Sequence, residues 1–375
     1  MAYYDSFQQL SSAFKIGEDI DIEQAGVFVR NYSFKSQFSF SDFPEKNNSF
    51  IVSDAVKENG KFTYPVFINS PGKKYKEVII LLHGLNERSW HKYLPWAEYL
   101  CKKTDKPVLL FPIAYHMNRS PGSWSNPRIL QKILDFRKSL FKNDRSISFA
   151  NVALSIRLSD NPHRFYTSGR QSVNDIVKLV RKIKSGRHGL FEKDAKIDFF
   201  AYSIGAFLSQ ILFLANPNGY FSESKLFMFC GGSIFNSMFG QSRNIMDKKT
   251  FEILLEYYQA DFWTEQIEAN SNDDLMTSFY SMLRPENEKQ KRISIFEQIK
   301  SRISGISLSR DKVMPYSGIV EAMGQNCASE TINLINLPYE YTHEAPFPIF
   351  KNKDKEHVES AFVKVFEQAS GFLSK

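Results

Sequence analysis

The sequence predicts an α/β fold, a mostly parallel central sheet covered by helices on both faces, with a helical cap inserted before the penultimate strand. Apolar runs of strand length recur at Val78–Leu82, Val108–Phe111, Ile197–Phe200, Leu226–Phe229, Ile303–Leu308 and Thr331–Leu337, with helical patterns between them. Such runs are continuous rather than alternating, as strands buried on both faces must be. One junction is more specific: Ile197–Phe200 leads through Ala201-Tyr202-Ser203-Ile204-Gly205 straight into an apolar helix start at Ala206-Phe207.

The elements follow in order. Residues 1–48 are polar and aromatic and of uncertain structure, with an extra strand edge and a dimer contact as the two open readings. Ser49–Asn69 reads as a β-hairpin, Phe50-Ile51-Val52 returning through Asn59-Gly60 to Phe62–Ile68, because Asn-Gly is a strong turn signal. The core then spans 49–235 and 299–375, with an excursion at 116–171 containing a helical pattern over Arg128–Phe141 between Ser/Pro/Asn-rich stretches. Ser172, three residues before Asp175, reads as a helix start, with Val173, Ile176, Val177 and Val180 on one face. Residues 236–298 are nearly all helical in pattern: Phe251, Leu254, Leu255 and Tyr258 share one face, and Met276, Phe279, Tyr280 and Leu283 another. A helical insertion there would cap the C-terminal edge of the sheet, where open α/β folds place ligands.

Composition narrows the class. The chain has 375 residues, 42% of them hydrophobic and 24% charged, enough for one large domain with a sizeable core. Its 34 Phe and 17 Tyr favour large apolar contacts. The net charge of +7 is spread along the chain without a polybasic run, which argues against a nucleic-acid partner. Cys101, Cys230 and Cys327 lie far apart with no metal-ligand spacing and point to a reducing compartment. No signal-peptide pattern and no run of membrane-spanning length is present, so a soluble cytoplasmic protein without stable membrane insertion is expected; oligomeric state is unreadable. No H-E-x-x-H and no phosphate loop is found, so no metal and no cofactor is expected.

The chemistry centres on Ser203. A serine oxygen standing clear on a sharp strand-to-helix turn needs small neighbours, and Ala201 and Gly205 supply them. The backbone N–H of Ile204, in the first helical turn, would face a developing oxyanion. A nucleophilic serine needs a base, and the base an orienting carboxylate. Asp311 follows the run ending at Leu308, and His343 follows the run ending at Leu337, both at the C-terminal edge of the sheet. Glu340 and Glu344 flank the histidine as other acids.

With these residues the chain resembles the α/β-hydrolase superfamily over roughly Ile51 to Leu373. The order Ser203, Asp311, His343 is the order that superfamily uses, and Asp311-Lys312-Val313-Met314-Pro315 is similar to its acid loop. The resemblance implies Ser203 as nucleophile, His343 as base and acid, and Asp311 as orienting carboxylate. Leu81-Leu82-His83-Gly84-Leu85-Asn86 looks like the family's oxyanion loop, which would make the Leu85 N–H the second donor, Gly84 the close-approach residue and His83 a support. Ala201 stands where glycine is the common residue.

Substrate contacts are expected from His83, Gly84, Asn86, Tyr115, Tyr202 and Trp263. His91 and His116 lie in loops bordering the pocket, with structural roles the commoner alternative. His163 with Arg157, Arg164 and Arg170 forms a basic cluster that either recognises an anion or pairs with nearby acids. Trp90, Trp124 and Phe262 are further candidate walls or packing residues. The expected activity is serine-dependent cleavage of a carboxylic ester or related small-molecule acyl compound, with amide, thioester or carbon–carbon cleavage also within reach of the same groups. The alternative is a non-catalytic or very slow hydrolase-fold ligand sensor.

Overall fold

The computed structural model describes residues 2–22, 26–37, 55–262, 273–349 and 354–375. Each apolar run of the sequence becomes a strand. The strands are β1 (Ile20–Ile22), β2 (Val27–Lys35), β3 (Lys61–Ile68), β4 (Tyr75–Leu82), β5 (Val108–Leu110), β6 (Phe191–Tyr202), β7 (Leu226–Phe229), β8 (Ile303–Leu308) and β9 (Ile332–Ile335). They form one nine-stranded sheet in the order β1-β2-β3-β5-β4-β6-β7-β8-β9. The edge from β1 to β3 is antiparallel, as is β3 against β5, and every later pair is parallel.

The main helices are α1 (Tyr3–Ala13), α2 (Leu94–Thr104), α3 (Pro127–Leu140), α4 (Val152–Asp160), α5 (His163–Lys184), α6 (Ile204–Ala215), α7 (Lys248–Glu256), α8 (Asp274–Ser281), α9 (Lys289–Ile299), α10 (Tyr316–Met323), α11 (Gln325–Thr331) and α12 (Lys355–Ser374). Because side chains alternate across a strand, β4 sends Val78, Ile80 and Leu82 into a core with Val173, Ile176 and Val180 of α5 and Phe207 and Ile211 of α6. Ile79 and Leu81 enter the opposite core with Trp96 and Leu100 of α2 and Val365 and Phe366 of α12. Both faces are covered there, which is why the central strands β4, β5 and β7 carry no polar alternation in their buried stretches.

Several expectations are corrected. Lys57–Gly60 is a helical turn, and β3 pairs instead with β2 of the N-terminal segment, which supplies the extra strand edge, one of its two open readings. The proposed hairpin arm Phe50-Ile51-Val52 lies outside the described residues. Ser172 does not start a helix: α5 runs unbroken from His163, and the Ser172 hydroxyl donates to Ser168 O (2.7 Å) and accepts from Ala114 N–H (2.9 Å). Asp175, read as part of a cap, is buried against Arg119 (2.7 Å). That arginine also reaches Asn59 Oδ1 and Pro112 O, pinning the loop after β5 to α5.

The two long intervals interlock. Arg137 of α3 holds Asp247, the N-cap residue of α7, through Nε and Nη2 on one guanidinium edge (2.6 and 2.8 Å), and Asn151 Nδ2 donates to Ser242 O (2.8 Å). Asn86 Nδ2 bridges Ala150 O (2.9 Å) and Asn244 O (2.7 Å). The first excursion therefore shares a layer with the helices that precede β8. Cys101, Cys230 and Cys327 are free and buried. Among the described residues no helix is long and apolar enough to cross a membrane, and no cluster of His, Cys, Asp or Glu could hold a metal ion.

Candidate active site

β6 ends at Tyr202 and α6 begins at Ile204, leaving Ser203 alone at the turn with φ 55° and ψ −122°. A non-glycine residue there stores roughly 1–3 kcal/mol of backbone strain, tolerated only where neighbours enforce it. Ser203 N–H donates to Phe229 O (3.2 Å), and the serine carbonyl accepts from Ala206 N–H (2.9 Å). A Cβ on Gly205 would lie 2.8 Å from the carbonyl oxygens of Leu82 and His83, so glycine lets the turn sit flush against the end of β4. Gly231 does the same on the other side, where a Cβ would lie 2.6 Å from Ala206 Cβ and 2.7 Å from Ser203 O. The sequence reading missed Gly231, although the pair Gly231-Gly232 directly after a strand was the available signal.

The late loops meet this turn. Ser203 Oγ lies 2.7 Å from His343 Nε2, and His343 Nδ1 lies 2.7 Å from Asp311 Oδ2. The side chains of His343 and Asp311 are 3% and 0% exposed, so this chain of hydrogen bonds is shielded from water. Asp311 is held in turn by its own loop: Oδ1 accepts from Val313 N–H (2.9 Å) and Met314 N–H (3.1 Å). Glu340 pairs instead with Arg310 (3.2 Å), and Glu344 accepts from the Ser242 hydroxyl, so neither competes for the histidine.

His83 Nε2 accepts from Ile113 N–H (2.9 Å), so its hydrogen is on Nδ1, which donates to Gly84 O (2.8 Å). Burial, reinforced by neighbouring His116, holds His83 well below the usual histidine range, so it is a neutral strut between two loops. Gly84 N–H donates to Tyr93 OH (2.9 Å), whose hydrogen goes to Glu87 (3.0 Å). These bonds fix the backbone at Leu85.

Two cavities adjoin, sharing Leu85, Phe165 and Ile204. The smaller includes Ser203 and is otherwise apolar, with Phe235, Met238, Met246, Leu254, Val313 and Met314. The larger is lined by Leu154, Leu158, Phe207, Ile211 and Phe279 together with Asn86, Arg88, Tyr115, His116 and Trp124. Ile204 opens α6, and a first-turn N–H has no acceptor within its own helix.

Of the expected substrate contacts, Asn86 and Tyr115 line the larger cavity. His83, Gly84 and Tyr202 do not: all are buried, His83 between loops, Gly84 against the Tyr202 ring, and Tyr202 with its hydroxyl donating to His343 O. Trp263 lies outside the described residues. His91 is exposed and bonded to Ser89, while His116 is buried on the cavity wall. Trp90 packs edge-on to His83 (5.4 Å), and Phe262 packs on Tyr166 (5.0 Å). The basic cluster reaches the wall through Arg157, Arg164 and Arg170, but Arg164 pairs with Asp160 (2.9 Å), Arg170 with Asp273 (2.5 Å), and His163 meets Tyr257 OH (3.0 Å).

Among solved structures the chain is similar to an esterase from Pyrobaculum calidifontis (10% identity, 98% of this chain and 91% of that one, TM-score 0.45). It is also similar to a thermostable esterase from Pseudomonas putida (11% identity, 100% and 91%, TM-score 0.43) and to vibralactone cyclase (10% identity, 98% and 86%, TM-score 0.44). Similarity at this level assigns no activity. No curated protein matches the chain. Residues 1–374 match a family described as a family of unknown function, DUF6051, and the chain belongs to that family.

Proposed function

We propose that this protein is a serine hydrolase that cleaves a carboxylic ester or related acyl compound through an acyl-enzyme. The observation that carries the reading is the unbroken line Asp311–His343–Ser203, with both hydrogen bonds at 2.7 Å, ending on a serine held at a strained turn. His343 Nε2 takes the Ser203 proton as Oγ attacks the carbonyl carbon, and Asp311 stabilises the imidazolium while fixing its tautomer. The N–H groups of Ile204 and Leu85 hold the oxyanion, and preorganised donors of this kind are worth about 3–4 kcal/mol each. His343 then returns the proton to the leaving oxygen, and water activated by the same nitrogen releases the acid.

The helices α7 to α9, with the 116–171 interval locked to them, act as the cap that excludes water. The apolar pocket beside Ser203 favours an apolar acyl or alcohol group, which makes an ester of a small amphiphile the substrate class. A panel of chromogenic acyl esters, thioesters and anilides tests this. Ester turnover by the wild type that disappears in Ser203→Ala supports it, whereas folded wild type that binds ligands without turning any over would favour the sensor reading.

A further inference from the structure

We propose that the substrate carries a hydroxyl group on the part occupying the larger cavity, where it donates its hydrogen to His116 Nε2. This deepens the ester-hydrolase reading above and rests on it. His116 is 7% exposed and lines that cavity, and its Nδ1 lies 2.9 Å from Ala114 O. A carbonyl only accepts, so the ring hydrogen is on Nδ1 and Nε2 carries a lone pair. Burial drives the ring down to about 4, which keeps it neutral at physiological pH. Nε2 is buried with no hydrogen-bond partner among the described residues. An orphaned acceptor of this kind is destabilising unless a ligand satisfies it.

The same wall supplies donors. Trp124 lines the cavity, 8% exposed, and its Nε1–H is likewise buried and unpartnered. Arg88, also in the lining, spends two N–H groups on the carbonyls of Trp124 (2.6 Å) and Ala150 (3.2 Å). The chemistry of the wall selects among ligand groups. A carboxylate or a dianionic phosphate would suit Arg88 but has no hydrogen for Nε2. An ammonium would suit Nε2 but would face the Arg88 guanidinium in the same lining. A hydroxyl both gives and accepts a hydrogen, and it is small enough to lie among aliphatic and aromatic side chains.

Binding is measured separately from turnover so that the two readings fail separately. Calorimetry on Ser203→Ala compares methyl ω-hydroxyalkanoates with methyl alkanoates of matched length. The expected result is at least about tenfold tighter binding of the hydroxylated ester at the best-fitting length. In Ser203→Ala/His116→Leu that ratio falls towards one, and Ser203→Ala/His116→Gln, which restores an acceptor, recovers part of it. Equal affinities for the two series in Ser203→Ala, or a preference that survives His116→Leu, would overturn the proposal. Loss of turnover in the wild type with the binding preference intact would count against the hydrolase reading alone.

Discussion

The Tyr202 hydroxyl donates to the backbone carbonyl of His343, so the residue immediately before Ser203 holds the loop that carries the histidine. The two rings also stack, 5.7 Å apart at 18°, and Lys92 Nζ sits 4.5 Å from the Tyr202 ring centre while donating to Glu344 O (3.2 Å). Ser203 and His343 are thereby tied through the Tyr202 side chain as well as by their own hydrogen bond. Tyr202→Phe keeps the ring and deletes the tie. Steady-state kinetics on an ester substrate should give a kcat roughly 10- to 100-fold lower, with KM nearly unchanged, because a 1 Å misplacement can cost about that much. An unchanged kcat would show that the loop is positioned by other contacts.

Asp311→Asn tests the orienting carboxylate. Asparagine can still accept from Val313 and Met314 N–H, so the loop should fold, but it presents an amide to His343 Nδ1 and can favour the wrong tautomer. A kcat loss of about 10⁴ with little change in thermal stability is expected. Loss below tenfold would mean another group orients His343.

Gly205→Ala places a methyl 2.8 Å from two carbonyl oxygens at the end of β4. Since backbone cannot yield as a side chain does, the turn must shift, at a cost of roughly 1–3 kcal/mol. The expected outcome is a Tm lowered by several degrees together with loss of esterase activity. Gly122→Ala, with nothing within 4 Å of its Cβ position, is the control and should change neither.

Stability should fall as the solution is acidified, for a reason outside the site. His188 accepts from Leu190 N–H (3.2 Å) and meets Tyr64 OH (2.8 Å), and burial lowers it to about 4. Its folded value is below the unfolded value of about 6.5, so the unfolded chain binds more protons between those limits. Stability is therefore complete above pH 6.5 and declines as pH falls to about 4, by up to about 3 kcal/mol for this residue. His83 and His116, lowered for the same reason, act in the same direction. Denaturant titrations across this window should show His188→Gln with a flatter pH profile than the wild type.

The parallel core was legible because strands buried on both faces need uninterrupted apolar runs, and a run such as Val78–Leu82 has no other comfortable place. The order of Ser203, Asp311 and His343 could be read for the same reason, since each follows such a run directly. The antiparallel edge was not. β2 is half exposed and reads Val27-Phe28-Val29-Arg30-Asn31-Tyr32, and its partner β3 lies across an interval of more than twenty residues, so no local turn announces the pairing. Ser172 misled because a serine can satisfy its hydroxyl inside a helix by bonding the carbonyl one turn back, as it does to Ser168 O. Tyr202 was misplaced because alternation along β6 sends it to the face opposite Ala201, away from both cavities.

The apolar pocket beside Ser203 should set chain-length preference. Met246 lines it and is buried. Met246→Trp fills that space, and kcat/KM for longer apolar esters should drop by about tenfold or more relative to acetate esters. An unchanged preference would place the variable group elsewhere.

The most direct measurement is treatment of the wild type and Ser203→Ala with a fluorophosphonate, read by intact mass and peptide mapping. One adduct on the wild type, mapped to Ser203 and absent from the variant, is the expected result. A folded wild type that remains unlabelled, or one labelled at another residue, would contradict the assignment of Ser203 as an activated nucleophile.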